Sequence, residues 1–214
     1  MTISNLFLLF LALSSALHIS AIVLKKECFR RITKILLIPL LLGAYLGGTG
    51  TKMPLPALAL VFGWLGDILL IKISEKRFFK IGLCSFLTGH ILYIAVFIQA
   101  LAKINVPVLA VSIAAAVLLA VPAYRLIRPD REMAIPVALY MAILESMSII
   151  GLQLFFARGD MAGVFIFSGC LFFMLSDSLL AYFTFRPMVL WAAIAVMVFY
   201  ILAQTGIILG LMRV

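Results

Sequence analysis

Apolar positions in this chain run in long blocks with little amphipathic alternation, and polar or Pro/Gly punctuation divides them into eight. The blocks cover approximately 3–24, 33–50, 54–71, 78–101, 105–124, 134–157, 162–185 and 188–211. A bilayer core of about 30 Å needs about 20 apolar residues in a helix. The pattern therefore predicts an all-α integral membrane protein, an eight-helix transmembrane bundle forming a single domain over residues 1–214. The opening Met1-Thr2-Ile3-Ser4-Asn5 has no basic stretch, and its apolar run is longer than a signal-peptide core. It reads as a retained first helix.

Composition agrees. Hydrophobic residues make up 66% of the 214 and charged residues 12%, against roughly half apolar in a soluble domain. The net charge of +9 is not a nucleic-acid footprint, because the basic residues sit between spans without exposed aromatics among them. They report orientation instead. Alternate connections hold thirteen Lys and Arg: Lys25, Lys26, Arg30, Arg31 and Lys34, then Lys72, Lys76, Arg77 and Lys80, then Arg125, Arg128 and Arg131, then Arg186. The other side holds four, namely Lys52, Lys103, Arg158 and Arg213. By the positive-inside rule the richer side is cytoplasmic, which places both termini on the outer side.

Three acids fall inside spans: Asp67, Glu145 and Asp177. An ionisable group there costs a few kcal/mol or more and usually faces the bundle interior, a partner or a water-filled cavity. Asp67 lies in Leu65-Gly66-Asp67-Ile68-Leu69-Leu70, which recurs 110 positions later as Leu175-Ser176-Asp177-Ser178-Leu179-Leu180. An offset of four spans preserves helix direction, as a parallel four-plus-four internal repeat requires. The two aspartates then sit about 7 Å and 13 Å before the basic residues Lys72 and Arg186, in the cytoplasmic half of the membrane. The small neighbours Gly66 and Ser176 permit close helix approach. Glu145 has no repeat counterpart and reads as a structural hydrogen-bonding group.

Other polar groups are sparse. His90 lies mid-span beside Tyr93, and His18 lies in the first helix near Ser14, Ser15 and Ser20. Without HExxH spacing, and with three cysteines scattered outside any CxxC, no metal site is expected. Lys34 opens the second span, where it can either snorkel to the interface or contact a lipid phosphate. Tyr140, Tyr200 and Gln204 offer polar tips for a headgroup or a catalytic acid. Two carboxyls sharing a site of low dielectric divide the labour of protonation, one holding a proton while the other is ionised. That suits acid-catalysed cleavage through an oxocarbenium-like state. It suits proton-coupled transport of a lipid or small amphiphile equally, and a non-enzymatic lipid-binding or scaffold protein is a third reading.

The string Gly63-Trp64-Leu65-Gly66-Asp67-Ile68-Leu69-Leu70, then Gly89-His90-Ile91-Leu92-Tyr93, Leu175-Ser176-Asp177-Ser178-Leu179-Leu180-Ala181 and Tyr200-Ile201-Leu202-Ala203-Gln204, resembles the YhhN family of membrane proteins. Thr33-Lys34 is similar to that family's second-helix entry, with Ile35 where proline is common and Pro39 one turn later. The resemblance implies a lysoplasmalogenase, a hydrolase that cleaves the vinyl ether bond of lysoplasmalogens to a fatty aldehyde and a glycerophospho-ethanolamine or -choline. It implies Asp67 and Asp177 as the catalytic pair, with Lys34, His90, Tyr93, Tyr140, Ser176, Tyr200 and Gln204 as substrate-binding candidates. The chemistry requires no metal or organic cofactor. The expected partners are a lysophospholipid substrate and membrane lipid, with no nucleic acid, and the expected location is a bacterial inner membrane.

Overall fold

The computed structural model describes residues 2–48, 53–72 and 75–214, with Lys72 and Lys76 described by backbone alone. Lys52, counted above on the less basic side, lies outside the described residues. Eight α-helices follow in chain order, with no strand among the described residues: α1 Ile3–Val23, α2 Glu27–Leu46, α3 Pro54–Leu69, α4 Lys76–Ala100, α5 Val106–Ile127, α6 Ala134–Arg158, α7 Met161–Thr184 and α8 Leu190–Leu211. A 3-10 turn, Leu70–Lys72, closes α3. Six of the eight are long and apolar enough to cross a membrane, and the protein is a multi-pass integral membrane protein. The exceptions are α3, apolar but only 16 residues long, and α2, whose first two turns carry Glu27, Arg30, Arg31 and Lys34.

Local chemistry sets the helix ends. Thr2, Asn105 and Asp160 each turn a side-chain oxygen onto a first-turn amide, those of Asn5, Val108 and Gly163. Pro54 opens α3, where its missing N–H costs nothing. Gly159 ends α6 with φ +64°, a left-handed conformation that glycine adopts without strain.

The chain packs as two compact units, residues up to Tyr93 and residues from Ile94, with the division inside α4. In the first unit α1 lies on α2, and α2 on α3. Gly43 of α2 leaves room for the Phe7 ring, which a Cβ there would meet at 2.5 Å. Across α3 and α4 a Cβ on Gly66 would lie 2.5 Å from the Phe86 ring, and one on Gly89 would lie 3.1 Å from the Ala59 carbonyl. The close approach expected at Gly66 is therefore present. Ser85 adds a hydrogen bond across the same seam, donating to the Phe62 carbonyl at 2.6 Å.

One further contact follows from a proline. Pro39 lies inside α2 and has no N–H for the Ile35 carbonyl four residues earlier. The Trp64 indole of α3 donates to that carbonyl at 2.9 Å, satisfying a backbone group that lipid cannot. Trp64→Phe is expected to lower stability by about 1–3 kcal/mol, the cost of an unsatisfied buried acceptor. In a Pro39→Ala background, where the helix supplies its own N–H, the same substitution should cost clearly less. Equal losses in both backgrounds, measured by thermal unfolding in detergent, would sink this account.

In the second unit α7 lies on both α6 and α8. The α7–α8 seam is built on glycines: a Cβ on Gly169 would meet the Ala203 carbonyl at 2.8 Å, and one on Gly210 would meet the Ala162 carbonyl at 2.9 Å. The Gln153 side chain of α6 both accepts from the Asn105 amide and donates to its carbonyl, tying down the start of α5. Helix α5 is otherwise peripheral, with Ile127 its one buried residue.

Asp160, in the loop before α7, is bound by the Arg158 guanidinium and the Gly163 amide, which hold its carboxyl below the usual range. A depressed carboxylate contributes stability that is present above its unfolded pKa and lost as pH falls through the folded one. Asp160→Asn, which keeps the capping oxygen, should therefore lower the melting temperature slightly at pH 7 and leave it unchanged in strong acid. A loss as large in acid as at neutrality would overturn that reading.

Candidate functional site

The first unit holds one of the two aspartates of the repeated motif. Asp67 sits two residues before the end of α3 and is 2% exposed. Lys34 of α2 reaches it, with Nζ 3.2 Å from Oδ1. Lys34 is thus neither simply snorkelled nor simply awaiting a phosphate, the two sequence expectations; it is the cation beside a buried carboxylate. The opposite charges of two neighbouring predicted spans were the available signal, since intramembrane charges tend to pair with one another. An ammonium has three donors, so the contact with Asp67 leaves capacity for a second acceptor. His90 and Tyr93, both on α4, are each 1% exposed.

A residue that sequence reasoning left aside stands next to this pair. Thr33 precedes Lys34 in α2, and its hydroxyl lies 2.9 Å from Nδ1 of His18 in α1. His18 is 1% exposed. A buried polar histidine in the first helix and a threonine beside the Lys34 position were both visible in the sequence, but nothing there gave the helix rotation that joins them.

The second unit holds the other aspartate. Asp177 is half-buried on α7 and accepts a hydrogen bond at Oδ2 from the Tyr140 hydroxyl of α6. Each aspartate therefore meets a donor from the helix that precedes its own. Ser176, beside Asp177, is 1% exposed and donates its hydroxyl to the Val196 carbonyl of α8 at 3.0 Å. Its proton is committed to the α7–α8 seam, and only acceptor capacity remains for a ligand. Tyr200 and Gln204, one turn apart on α8, are 5% and 2% exposed, with the Tyr200 ring edge-on to Phe173.

Glu145 faces elsewhere. It lines an apolar groove of about 290 Å³ between α5 and α6, together with Tyr124, Arg125 and Met141. Five residues separate it from Tyr140, an angle of about 140° around the helix. One face of α6 thus serves α7 and Asp177, and another serves the groove. Among the described residues no three His, Cys, Asp or Glu side chains gather where they can hold a metal ion.

A family model described as the YhhN family matches residues 29–211, nearly the whole chain from α2 onward. No curated protein and no solved structure matches the chain significantly. The chain belongs to the YhhN family.

Proposed function

We propose that this YhhN family protein is a lysoplasmalogenase-like hydrolase that cleaves the vinyl ether bond of a lysophospholipid within the membrane. Support comes from one observation above the rest: the two span aspartates, Asp67 and Asp177, are each held by a hydrogen-bond donor from the preceding helix, Lys34 and Tyr140. Such anchoring fixes a carboxyl's orientation, which proton transfer to a particular atom demands.

The reaction proceeds in balanced steps. A carboxylic acid gives its proton to the vinyl carbon remote from oxygen, and the C=C electrons form the new C–H bond. The ether oxygen shares its lone pair with the adjacent carbon, giving an oxocarbenium ion. Water adds to that carbon and loses a proton to a carboxylate, leaving a hemiacetal. The hemiacetal then collapses, its hydroxyl proton passing to the leaving oxygen, to a fatty aldehyde and the glycerophospho-alcohol. One aspartate serves as acid, and the other stabilises the cation and accepts water's proton. The donors that Lys34 does not use on Asp67 suit the substrate phosphate; the other candidate substrate contacts are His90 and Tyr93 in the first unit and Ser176, Tyr200 and Gln204 in the second. Both termini face outward from a bacterial inner membrane in this reading.

Purified protein given lysoplasmalogen in detergent should release aldehyde. A folded wild type that releases none overturns the hydrolase reading. The competing reading is proton-coupled transport; it requires lysolipid movement that dissipates a pH gradient in sealed vesicles, with no aldehyde formed.

A further inference from the structure

Two buried polar atoms on α1 have no partner among the described residues. Ser15 and Ser20 donate their hydroxyls to the carbonyls one turn back, Leu11 and Ala16. Ser14 does not. Its side chain is buried, and among the described residues no protein group lies within hydrogen-bonding distance of Oγ. His18 is one turn further along the same face, and its Nε2 is likewise buried and unpartnered. Each such atom costs about 1–3 kcal/mol if nothing meets it.

The hydrogen bonds around Thr33 fix what His18 offers. The Thr33 hydroxyl has one proton, which it directs to the helix carbonyls of Phe29, at 2.9 Å, and Arg30, at 3.1 Å. Toward His18 it therefore acts as acceptor, so Nδ1 carries the hydrogen in that contact. Nε2 of the neutral ring is then a bare acceptor. It calls for a donor, while Ser14 Oγ can donate or accept. The charged groups acting on His18 are Lys34 and Arg30, which disfavour a metal cation. An anion cannot satisfy a bare imidazole nitrogen. A neutral hydroxyl satisfies both atoms, donating to Nε2 and accepting from Ser14.

We propose that Ser14 and His18 form a hydroxyl-binding site, and that its catalytic occupant is the free C2 hydroxyl of the substrate's glycerol. The identity of that occupant rests on the hydrolase reading. Thr33, bonded to His18, adjoins Lys34, bonded to Asp67. In a lysoplasmalogen the C2 hydroxyl is on the carbon next to the one bearing the vinyl ether oxygen. Lys34 is also one of the two charges that act on His18, so a glycerol hydroxyl held by His18 is taken to place the adjoining vinyl ether in reach of the Lys34–Asp67 pair. An acylated C2 oxygen has no proton for Nε2 and adds bulk, so the site selects lyso over diacyl lipid. Helix α1 lies outside the residues matched by the family model.

Binding of a saturated 1-O-alkyl lysophosphoethanolamine, which cannot be hydrolysed, tests this against its 2-deoxy analogue in detergent. Wild type should bind the hydroxyl form about tenfold or more tightly, the worth of one to two hydrogen bonds. His18→Phe and Ser14→Ala should each bring the ratio toward one and leave 2-deoxy affinity unchanged. Ser14→Ala, with a good helix former, carries the test if His18→Phe does not fold. A resident water is the alternative source of the hydroxyl: both variants would then lower the melting temperature with no change in the ratio, and the substrate assignment would be overturned. Wild type that discriminates in binding but releases no aldehyde from lysoplasmalogen overturns the hydrolase reading and retains the site. Release of aldehyde without discrimination overturns the site alone.

Discussion

Asp67→Asn and Asp177→Asn are each expected to cut aldehyde release from lysoplasmalogen by about 10²- to 10⁴-fold, the range associated with a positioned acid or base. Asparagine nearly matches aspartate in shape, and its amide oxygen can still accept from Lys34 or Tyr140, the donors seen in the structure. What it cannot do is carry the transferred proton or a full negative charge. The loss should therefore appear in kcat more than in KM. The hydrolase reading expects a double variant scarcely worse than the weaker single, because groups that serve one transition state are not additive. Tyr140→Phe keeps the ring but removes the hydrogen bond to Asp177, and it should cost less, about tenfold. Glu145→Gln, in the groove toward α5, should leave turnover unchanged. Folded aspartate variants that retain more than about a tenth of wild-type turnover would remove these carboxyls from the chemistry.

The helices were legible because a lipid-facing chain must be apolar over a fixed length. The run read as 134–157 is α6, Ala134–Arg158, and the run read as 162–185 is α7, Met161–Thr184. The second run was placed from 33, whereas α2 starts at Glu27. Hydropathy measures how long the apolar stretch is, but the helix extends beyond it through the charged turns of Glu27 to Arg31. The span aspartates were legible for the opposite reason, that a costly residue in lipid calls for an explanation. Their partners were not. Lys34 with Asp67, and His18 with Thr33, join residues on different helices, and which faces meet depends on rotations that nearly uniform apolarity leaves unspecified. The Trp64 bond was half-written in the sequence, because Pro39 leaves the Ile35 carbonyl open but does not say what closes it.

The largest stability effect is expected at Lys34. Asp67 is almost wholly buried and the Lys34 side chain is 21% exposed, so removing the ammonium leaves a carboxylate in a setting where water screens it poorly. Breaking a buried pair from one side costs about 3–5 kcal/mol, most of it the penalty on the charge left behind. Partial exposure of Lys34 places the expectation at the lower end, near 3 kcal/mol. Lys34→Met preserves much of the side chain's length and apolar contact, so the loss reports charge and not a cavity. The informative variant is Lys34→Met with Asp67→Asn, which removes both charges at once. It should recover most of the stability that Lys34→Met loses, because a neutral amide no longer needs the cation, yet it should remain as inactive as Asp67→Asn alone. Thermal unfolding in detergent gives the cycle, and the coupling between the two sites should reach about 1–3 kcal/mol, the range for residues in direct contact. Additive losses would mean that Lys34 and Asp67 do not sense one another. Recovery of activity along with stability would mean that Asp67 matters only as a counter-ion, leaving the proton chemistry to other groups.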